Sequence, residues 1–374
     1  MAGSVSWYLL TVEIMAWQGI EGHDAVVSQF RRSLARDRLA STFLFVGPSG
    51  IGKRAFAEKL AQTLLCLQTP AEDLAPCGKC PACLQAAAHT HPDLHIVEKP
   101  AERSSIPLSL FIGDDAHRMR EGLCHDIALR PFMGGRKVAI IDDADYLNEE
   151  SANCLLKTLE EPPPRSVLIL IGTTADAQLP TIRSRSQIVR FRPLEQAIVA
   201  QILEARGLAS DRQQALRLAE FSNGSVERAL ELADDELWTF RRELLSRLSV
   251  APLTSVTLAR ELNALVEAAG KDAAVRRTRA RQIVAFAVEF YRQRLRAQTG
   301  LKPQGDDDLC GAVRRGVANT ATAARASLAA VERSIEALAH IDRNAHQATL
   351  LECWLDDLAR IEQGGHPVAS YGDS

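Results

Sequence analysis

Five short and largely apolar runs punctuate the first half of the chain: Thr42-Phe43-Leu44-Phe45-Val46, Leu94-His95-Ile96-Val97, Val138-Ala139-Ile140-Ile141, Val167-Leu168-Ile169-Leu170-Ile171 and Ile188-Val189-Arg190-Phe191. Runs without polar alternation predict strands of a parallel sheet buried on both faces. Between them the apolar positions change to a spacing of three and four. Phe56, Leu60 and Leu64 mark one helix, and Ala152, Leu155, Leu156 and Leu159 another. The second must stop near Glu161, because Pro162-Pro163-Pro164 cannot continue it. Strands alternating with helices predict an open α/β sheet over residues 17–195.

After Pro193 the strand signal ends. Residues 196–249 read as a small helical lid interrupted by Gly207 and by Asn223-Gly224-Ser225. From 250 to 374 the pattern is helical throughout. One long segment carries Val275, Ile283, Val284, Ala287, Phe290, Tyr291 and Leu295, and a last pattern holds Val331, Ile335 and Leu338, then Leu351, Trp354, Leu355, Leu358 and Ile361. Trp238 and Trp354 fall in helical patterns and are read as packing residues. Lys302-Pro303-Gln304-Gly305-Asp306-Asp307-Asp308 is expected to be an exposed loop. Residues 1–16 precede the pattern as an N-terminal extension, and translation from Met1 or from Met15 fits equally.

The chain has 374 residues, of which 46% are hydrophobic and 24% charged, the make-up of a globular protein with several cores. Its net charge of −3 excludes a generally basic nucleic-acid binder and leaves only local patches, such as Arg276-Arg277-Thr278-Arg279-Ala280-Arg281, for contact with DNA. Basic helix faces of that kind are more often solvated or paired. No run approaches the ~18 apolar residues of a membrane span, and the N-terminus lacks the basic start of a signal peptide, so a cytoplasmic protein is expected. Of eight cysteines, Cys66, Cys77, Cys80 and Cys83 cluster, whereas Cys124, Cys154, Cys310 and Cys353 stand singly among apolar residues and are expected in the core.

Chemistry enters at three places. Gly47-Pro48-Ser49-Gly50-Ile51-Gly52-Lys53 fits the pattern G-x-x-x-x-G-K directly after a strand and before a helix. Such a loop turns backbone N–H groups toward phosphates, and its lysine adds a positive charge, so ATP or ADP is the expected ligand. The next residue should be Ser or Thr to hold Mg²⁺. It is Arg54, which cannot ligate a cation and argues against magnesium-assisted hydrolysis in this pocket. Second, Ile140-Ile141-Asp142-Asp143-Ala144-Asp145 ends a strand with carboxylates. Asp142 is the candidate metal ligand, and Asp143 stands where a longer Glu would polarise the attacking water; the alternative is that these acids cap the next helix. Third, Cys77-x-x-Cys80-x-x-Cys83, with Cys66 eleven residues earlier, has the spacing of a structural Zn²⁺ site. Redox pairing is the competing interpretation; His89 and His91 nearby are read as surface or packing residues.

Together with Asn153-Cys154-Leu155-Leu156-Lys157-Thr158-Leu159-Glu160-Glu161-Pro162-Pro163 and Ile182-Arg183-Ser184-Arg185, these motifs resemble the bacterial DNA polymerase III clamp-loader family, in its delta-prime and gamma/tau types. The resemblance covers residues 17–193, with weaker matches at Gly224-Ser225 and Arg343-Asn344. It implies a AAA+ P-loop module with a zinc-binding insert at 66–83, a helical lid, and an all-α collar (250–374) that assembles with gamma/tau and delta subunits to load a sliding clamp on primed DNA. It also implies that Arg185, in Ser184-Arg185-Ser186, acts in trans on a neighbour's ATP, and that Thr174, or adjacent Thr173, is a γ-phosphate sensor. Where gamma/tau lids carry an arginine, this chain has Glu227, with Arg228 one position on and rotated about 100° away. An arginine finger retained beside the departures at Arg54, Asp143 and Glu227 favours the non-motor delta-prime type over an active gamma/tau ATPase.

Overall fold

A computed structural model of the chain describes residues 17–365 apart from 101, 104, 134, 317–319, 344 and 345. The expected N-terminal extension and Asn344 lie outside the described residues. The chain divides into two compact units between Glu231 and Leu232.

In the first unit all five apolar runs are strands: β1 (Thr42–Val46), β2 (Leu94–Val97), β3 (Lys137–Ile141), β4 (Ser166–Gly172) and β5 (Gln187–Arg190). They form one parallel sheet in the order β2-β3-β4-β1-β5. Helix α1 (Asp24–Ala35) precedes β1, and α2 (Lys53–Leu65) and α3 (Pro81–Ala87) lead to β2. The later crossovers use α4 (Ser109–Ile112) and α5 (Leu123–Ala128), then α6 (Glu149–Glu160), then α7 (Pro180–Ser184). Successive strand residues point to opposite faces, which explains the unbroken apolar runs. Phe43 and Phe45 pack with Phe30 and Phe56 on one side, while Leu44 and Val46 meet Phe111 and Leu155 on the other. Every residue of β1, β3 and β4 is buried, whereas β2 and β5, at the sheet edges, are partly open.

The register fixes where chemistry can gather. Val46 pairs with Gly172 and Ile141 with Leu170, so the carboxyl ends of β1, β3 and β4 lie along one edge. β1 lies between β4 and β5; the chain leaves it toward the β2 edge and later crosses it to reach β5, and such a switch point is where open α/β sheets bind ligands. Helix α6 starts at Asn148, whose side chain accepts from the Ser151 amide at 2.8 Å, and ends before the three prolines. The unit closes with α8 (Gln196–Ala205), α9 (Arg212–Phe221) and α10 (Val226–Glu231). The lid expected over 196–249 therefore straddles the division between units.

The second unit is helical: α11 (Asp235–Leu248), α12 (Ser255–Ala268), α13 (Ala273–Gln298), α14 (Asp307–Gly316), α15 (Ala321–Asp342) and α16 (Gln347–Glu362). Ile283, Phe290 and Tyr291 of α13 are fully buried. Buried charges are paired between helices, Arg294 with Glu362 and Arg333 with Asp357. Val275 and Ile335, counted in the apolar pattern of the sequence, are instead exposed. Both tryptophans pack as expected; Trp354 is fully buried, and its indole N–H donates to Ser334 Oγ at 3.0 Å. Trp354→Ala is expected to cost about 3–5 kcal/mol, the range for a fully buried aromatic, read as a lower urea midpoint for helical unfolding.

The expectation that four single cysteines are core residues needs correction. Cys124 and Cys154 do pack against the core of the first unit, though half-buried, whereas Cys310 is half-buried and Cys353 is exposed. Cys124 and Cys154 also lie together, with Cys124 Sγ 3.8 Å from the Cys154 carbonyl oxygen. Apolar sequence neighbours do not fix which face of a helix a cysteine occupies.

Candidate nucleotide pocket and cysteine cluster

At the carboxyl edge of the sheet lies a cavity of about 720 Å³, lined by Ser49 to Ala55, Asp142, Asp143, Asp145, Thr173 and residues of α8 and α10. The phosphate loop forms its floor. Gly52, at φ 98°, turns the chain directly into α2, a backbone conformation that favours glycine. Lys53 is buried, and its Nζ donates to the carbonyls of Gly47 and Pro48 at 2.6 Å each. Burial lowers the Lys53 pKa, while Asp142, Asp145 and Glu227 act to raise it. His23, which belongs to no motif, also lines the cavity, with Nε2 2.7 Å from the Ile51 carbonyl oxygen. Burial lowers its pKa.

Asp142 does stand beside the loop, but it is already engaged. Arg54 Nη1 lies 3.2 Å from Asp142 Oδ2 and also pairs with Glu98, while Arg54 Nε bonds Glu58 at 3.0 Å. Burial works against the Arg54 charge, yet the hydrogen bonds it donates to Glu58 and Glu98 raise its pKa further. The guanidinium thus fills this acidic corner beside the phosphate loop. Asp143 sits in the left-handed region at φ 56°; burial and the Asp142 charge raise its pKa. Asp145 does not cap a helix. It accepts from the Thr173 amide at 2.7 Å and from Gln178, tying β3 to the end of β4.

Thr173 lines the cavity and Thr174 does not. Thr174 Oγ1 instead accepts from the Ala177 amide at 3.1 Å in the following turn. Of the two residues, Thr173 is the one at the cavity wall. From the lid, Glu227 enters the cavity wall, and Arg228 is not among the lining residues.

Arg185 lies apart from these groups. It follows the last residue of α7 and is not among those lining the pocket. Its Nε donates to Glu160 Oε1 at 2.8 Å and its Nη1 to the Thr181 carbonyl at 3.0 Å. Glu160 belongs to the Leu-Glu-Glu-Pro-Pro run, so two of the quoted motifs meet at this ion pair. In the basic stretch of α13, Arg276 donates to the Gly270 carbonyl at 2.6 Å and Arg279 pairs with Asp234.

The four clustered cysteines converge. Their sulfurs all lie within 4.8 Å of one another, with Cys77 and Cys83 at 3.9 Å. A tetrahedral ZnS₄ centre with Zn–S near 2.3 Å needs sulfurs about 3.8 Å apart. Backbone amides already serve the sulfurs: Cys77 N to Cys66, Cys80 N to Cys77 and Cys83 N to Cys80, at 3.3–3.5 Å. Burial disfavours the Cys66 thiolate, but the Cys77 amide and the Thr69 hydroxyl bring this thiol down to about 5. Burial and the neighbouring sulfurs push Cys83 up to about 12. Four sulfurs this close together suit a shared cation that balances their thiolate charge. The donor set therefore fits a tetrahedral thiophilic ion. His91 is buried and keeps its Nδ1 for the Asp93 amide, while His89 lies near Glu58.

Residues 22–195 match the family described as DNA polymerase III, delta subunit. A DNA polymerase III subunit delta' of Pseudomonas aeruginosa is 40% identical over 191 residues, covering 51% of this chain and 55% of that protein. A DNA polymerase III subunit gamma/tau of Mycobacterium bovis is 30% identical over 222 residues, 58% of this chain and 36% of its own. The match thus spans just over half the delta' relative and about a third of the gamma/tau one. Among solved structures, a DNA polymerase III gamma subunit-related protein of Thermotoga maritima is 16% identical, with a TM-score of 0.36 over 88% of this chain and 97% of that one.

Proposed function

We propose, for a chain that belongs through residues 22–195 to the DNA polymerase III clamp-loader family, that it is the non-motor, delta-prime type of subunit. In this reading it assembles with gamma/tau and delta subunits in the cytoplasm to load a sliding clamp on primed DNA. It lends Arg185 to the ATP site of a neighbouring subunit and performs little or no hydrolysis in its own. The observation that carries the reading is the position of Arg185. The side chain stands outside the chain's own pocket at the end of α7, held by Glu160, while the pocket's acidic corner is filled by Arg54. A guanidinium there cannot serve the chain's own nucleotide, yet it suits the charge that builds up on a transferring phosphoryl group across a subunit boundary.

The helical second unit supports a role as collar in this assembly. Cys66, Cys77, Cys80 and Cys83 are proposed to hold one structural Zn²⁺, which when bound supplies folding energy to a small insert. The phosphate loop, Gly47 to Lys53, keeps the form of an ATP or ADP site, with Asp142, Asp143 and Thr174 or Thr173 in their family positions. No helix among the described residues is long and apolar enough to cross a membrane.

The isolated chain tests the reading against its rival, an active gamma/tau-type motor. Steady-state ATP turnover by the purified protein is expected to equal that of its Lys53→Ala variant. Turnover well above that control would assign the motor role instead.

A further inference from the structure

The lid meets the phosphate loop at Gly50. The first turn of α10 lies so close that a Cβ on Gly50 would strike Ser225 Oγ and Glu227 Cβ, and the Val226 amide donates to the Gly50 carbonyl at 2.9 Å. Glu227 Oε2 accepts from the Ser49 hydroxyl at 2.9 Å. An anion of the chain's own therefore sits over the loop whose amides and lysine receive phosphate. Its counterpart lies at the end of β3, where Arg54 bonds Asp142 and Glu98. A cation of the chain's own fills the place of a divalent ion. Each side chain carries the same sign of charge as the group it displaces. The cavity wall as a whole holds six carboxylates and three cationic side chains, Lys53, Arg54 and Arg206, among the described residues. Such a wall repels a polyphosphate unless further positive charge arrives with it, and the Arg54 ion pairs leave that charge no carboxylate corner to enter.

We infer that Arg54 and Glu227 are resident substitutes for the divalent cation and for a phosphate group, so that the pocket's own side chains exclude magnesium nucleoside triphosphate and close the lid without it. The inference rests on the reading of Gly47 to Lys53 as a phosphate loop and goes further, since it says which two residues decide what the pocket accepts. Weak phosphate binding alone would follow from a short Asp143 or from Glu227 repulsion. The substitute arrangement also requires that nucleotide binding respond to the two residues jointly and through Mg²⁺. With a hydroxyl at 54 the Asp142 carboxylate is released to a metal, and with a guanidinium at 227 the lid contributes positive charge to the phosphates.

The test is titration of a fluorescent ATP analogue into the full chain, with Mg²⁺ and with EDTA, for the natural protein and for Arg54→Thr/Glu227→Arg. The natural chain is expected to show no Mg²⁺-dependent binding, and the double variant a gain of at least about tenfold in affinity that EDTA reverses. Tight, EDTA-sensitive binding by the natural chain overturns the inference, as does a folded double variant that binds no better. Should the double variant fail to fold, the near-isosteric Glu227→Gln decides. Faster hydrogen exchange at the Val226 amide together with tighter binding of the analogue supports the inference, and no change in either overturns it. None of these results depends on hydrolysis at a neighbour's site, so this inference can fail while the trans role of Arg185 stands.

Discussion

Hydrolysis at the neighbouring ATP site that Arg185 is proposed to serve is expected to slow by roughly 10³-fold in the Arg185→Ala variant of a reconstituted loader, the lower range for loss of an arginine finger. The cause is electrostatic. Charge spreads over the equatorial oxygens of the γ-phosphoryl group during transfer, and a planar, permanently charged guanidinium stabilises it more in the transition state than in bound ATP. Nucleotide affinity at that site is therefore expected to change far less than the single-turnover rate constant. Arg185→Lys should recover little, because an ammonium presents a point charge rather than a two-pronged donor. In the isolated chain the side chain is half-exposed and bound to Glu160 at the surface. Exposed pairs of this kind contribute about 0–1 kcal/mol, so a partner's phosphate can displace Glu160 readily. Single-turnover hydrolysis in reconstituted complexes checks the prediction, and full activity with alanine at this position would remove it.

Removing the proposed zinc is expected to have the second largest effect, on structure rather than on rate. The insert's own packing is small: Cys80, Ala82 and Cys83 are buried there, with Met133 against them. Helix α3 has seven residues, too few to be stable alone. A bound structural zinc contributes about 10 kcal/mol or more, which outweighs any other interaction in this segment. Chelation, or Cys80→Ser, should leave the parallel sheet intact while residues 66–83 become sensitive to protease. Links that would remain include the bond from Gln62 Nε2 to the Cys83 carbonyl at 3.0 Å and that from the Trp17 indole to the Leu74 carbonyl. Elemental analysis should find about one zinc per chain. A value near zero in anaerobically purified protein would contradict the zinc assignment.

The sheet was legible in the sequence because burial on both faces removes polar alternation and leaves continuous apolar runs. The three prolines that end α6 were equally plain, since breakers act locally, whereas its cap at Asn148 was not read from the sequence. The phosphate loop and the cysteine cluster are local too, and their spacing alone brought each set together. What the sequence did not display depends on side chains meeting across long separations. Arg54 was readable as a missing hydroxyl, but its bonds to Glu98 and Asp142 join residues 44 and 88 positions away. Glu227 was readable as a missing arginine, whereas its contact with Ser49 spans 178 positions. His23 carries no motif. Thr173 and Thr174 are adjacent, and only the strand's end point at Gly172 separates their roles. On the helices, Val275 and Ile335 obeyed the apolar period yet face solvent, because a helix of 26 or 22 residues has more apolar positions than its neighbours cover.

The most direct measurement compares two variants of this one subunit inside an otherwise natural loader. ATP turnover of the reconstituted assembly on primed DNA is followed with Lys53→Ala and, separately, with Arg185→Ala. Turnover near the natural rate for the lysine variant and a severe loss for the arginine variant is the predicted outcome. A loss confined to the lysine variant would show that the chain burns its own nucleotide and gives nothing to its neighbour, contradicting the account.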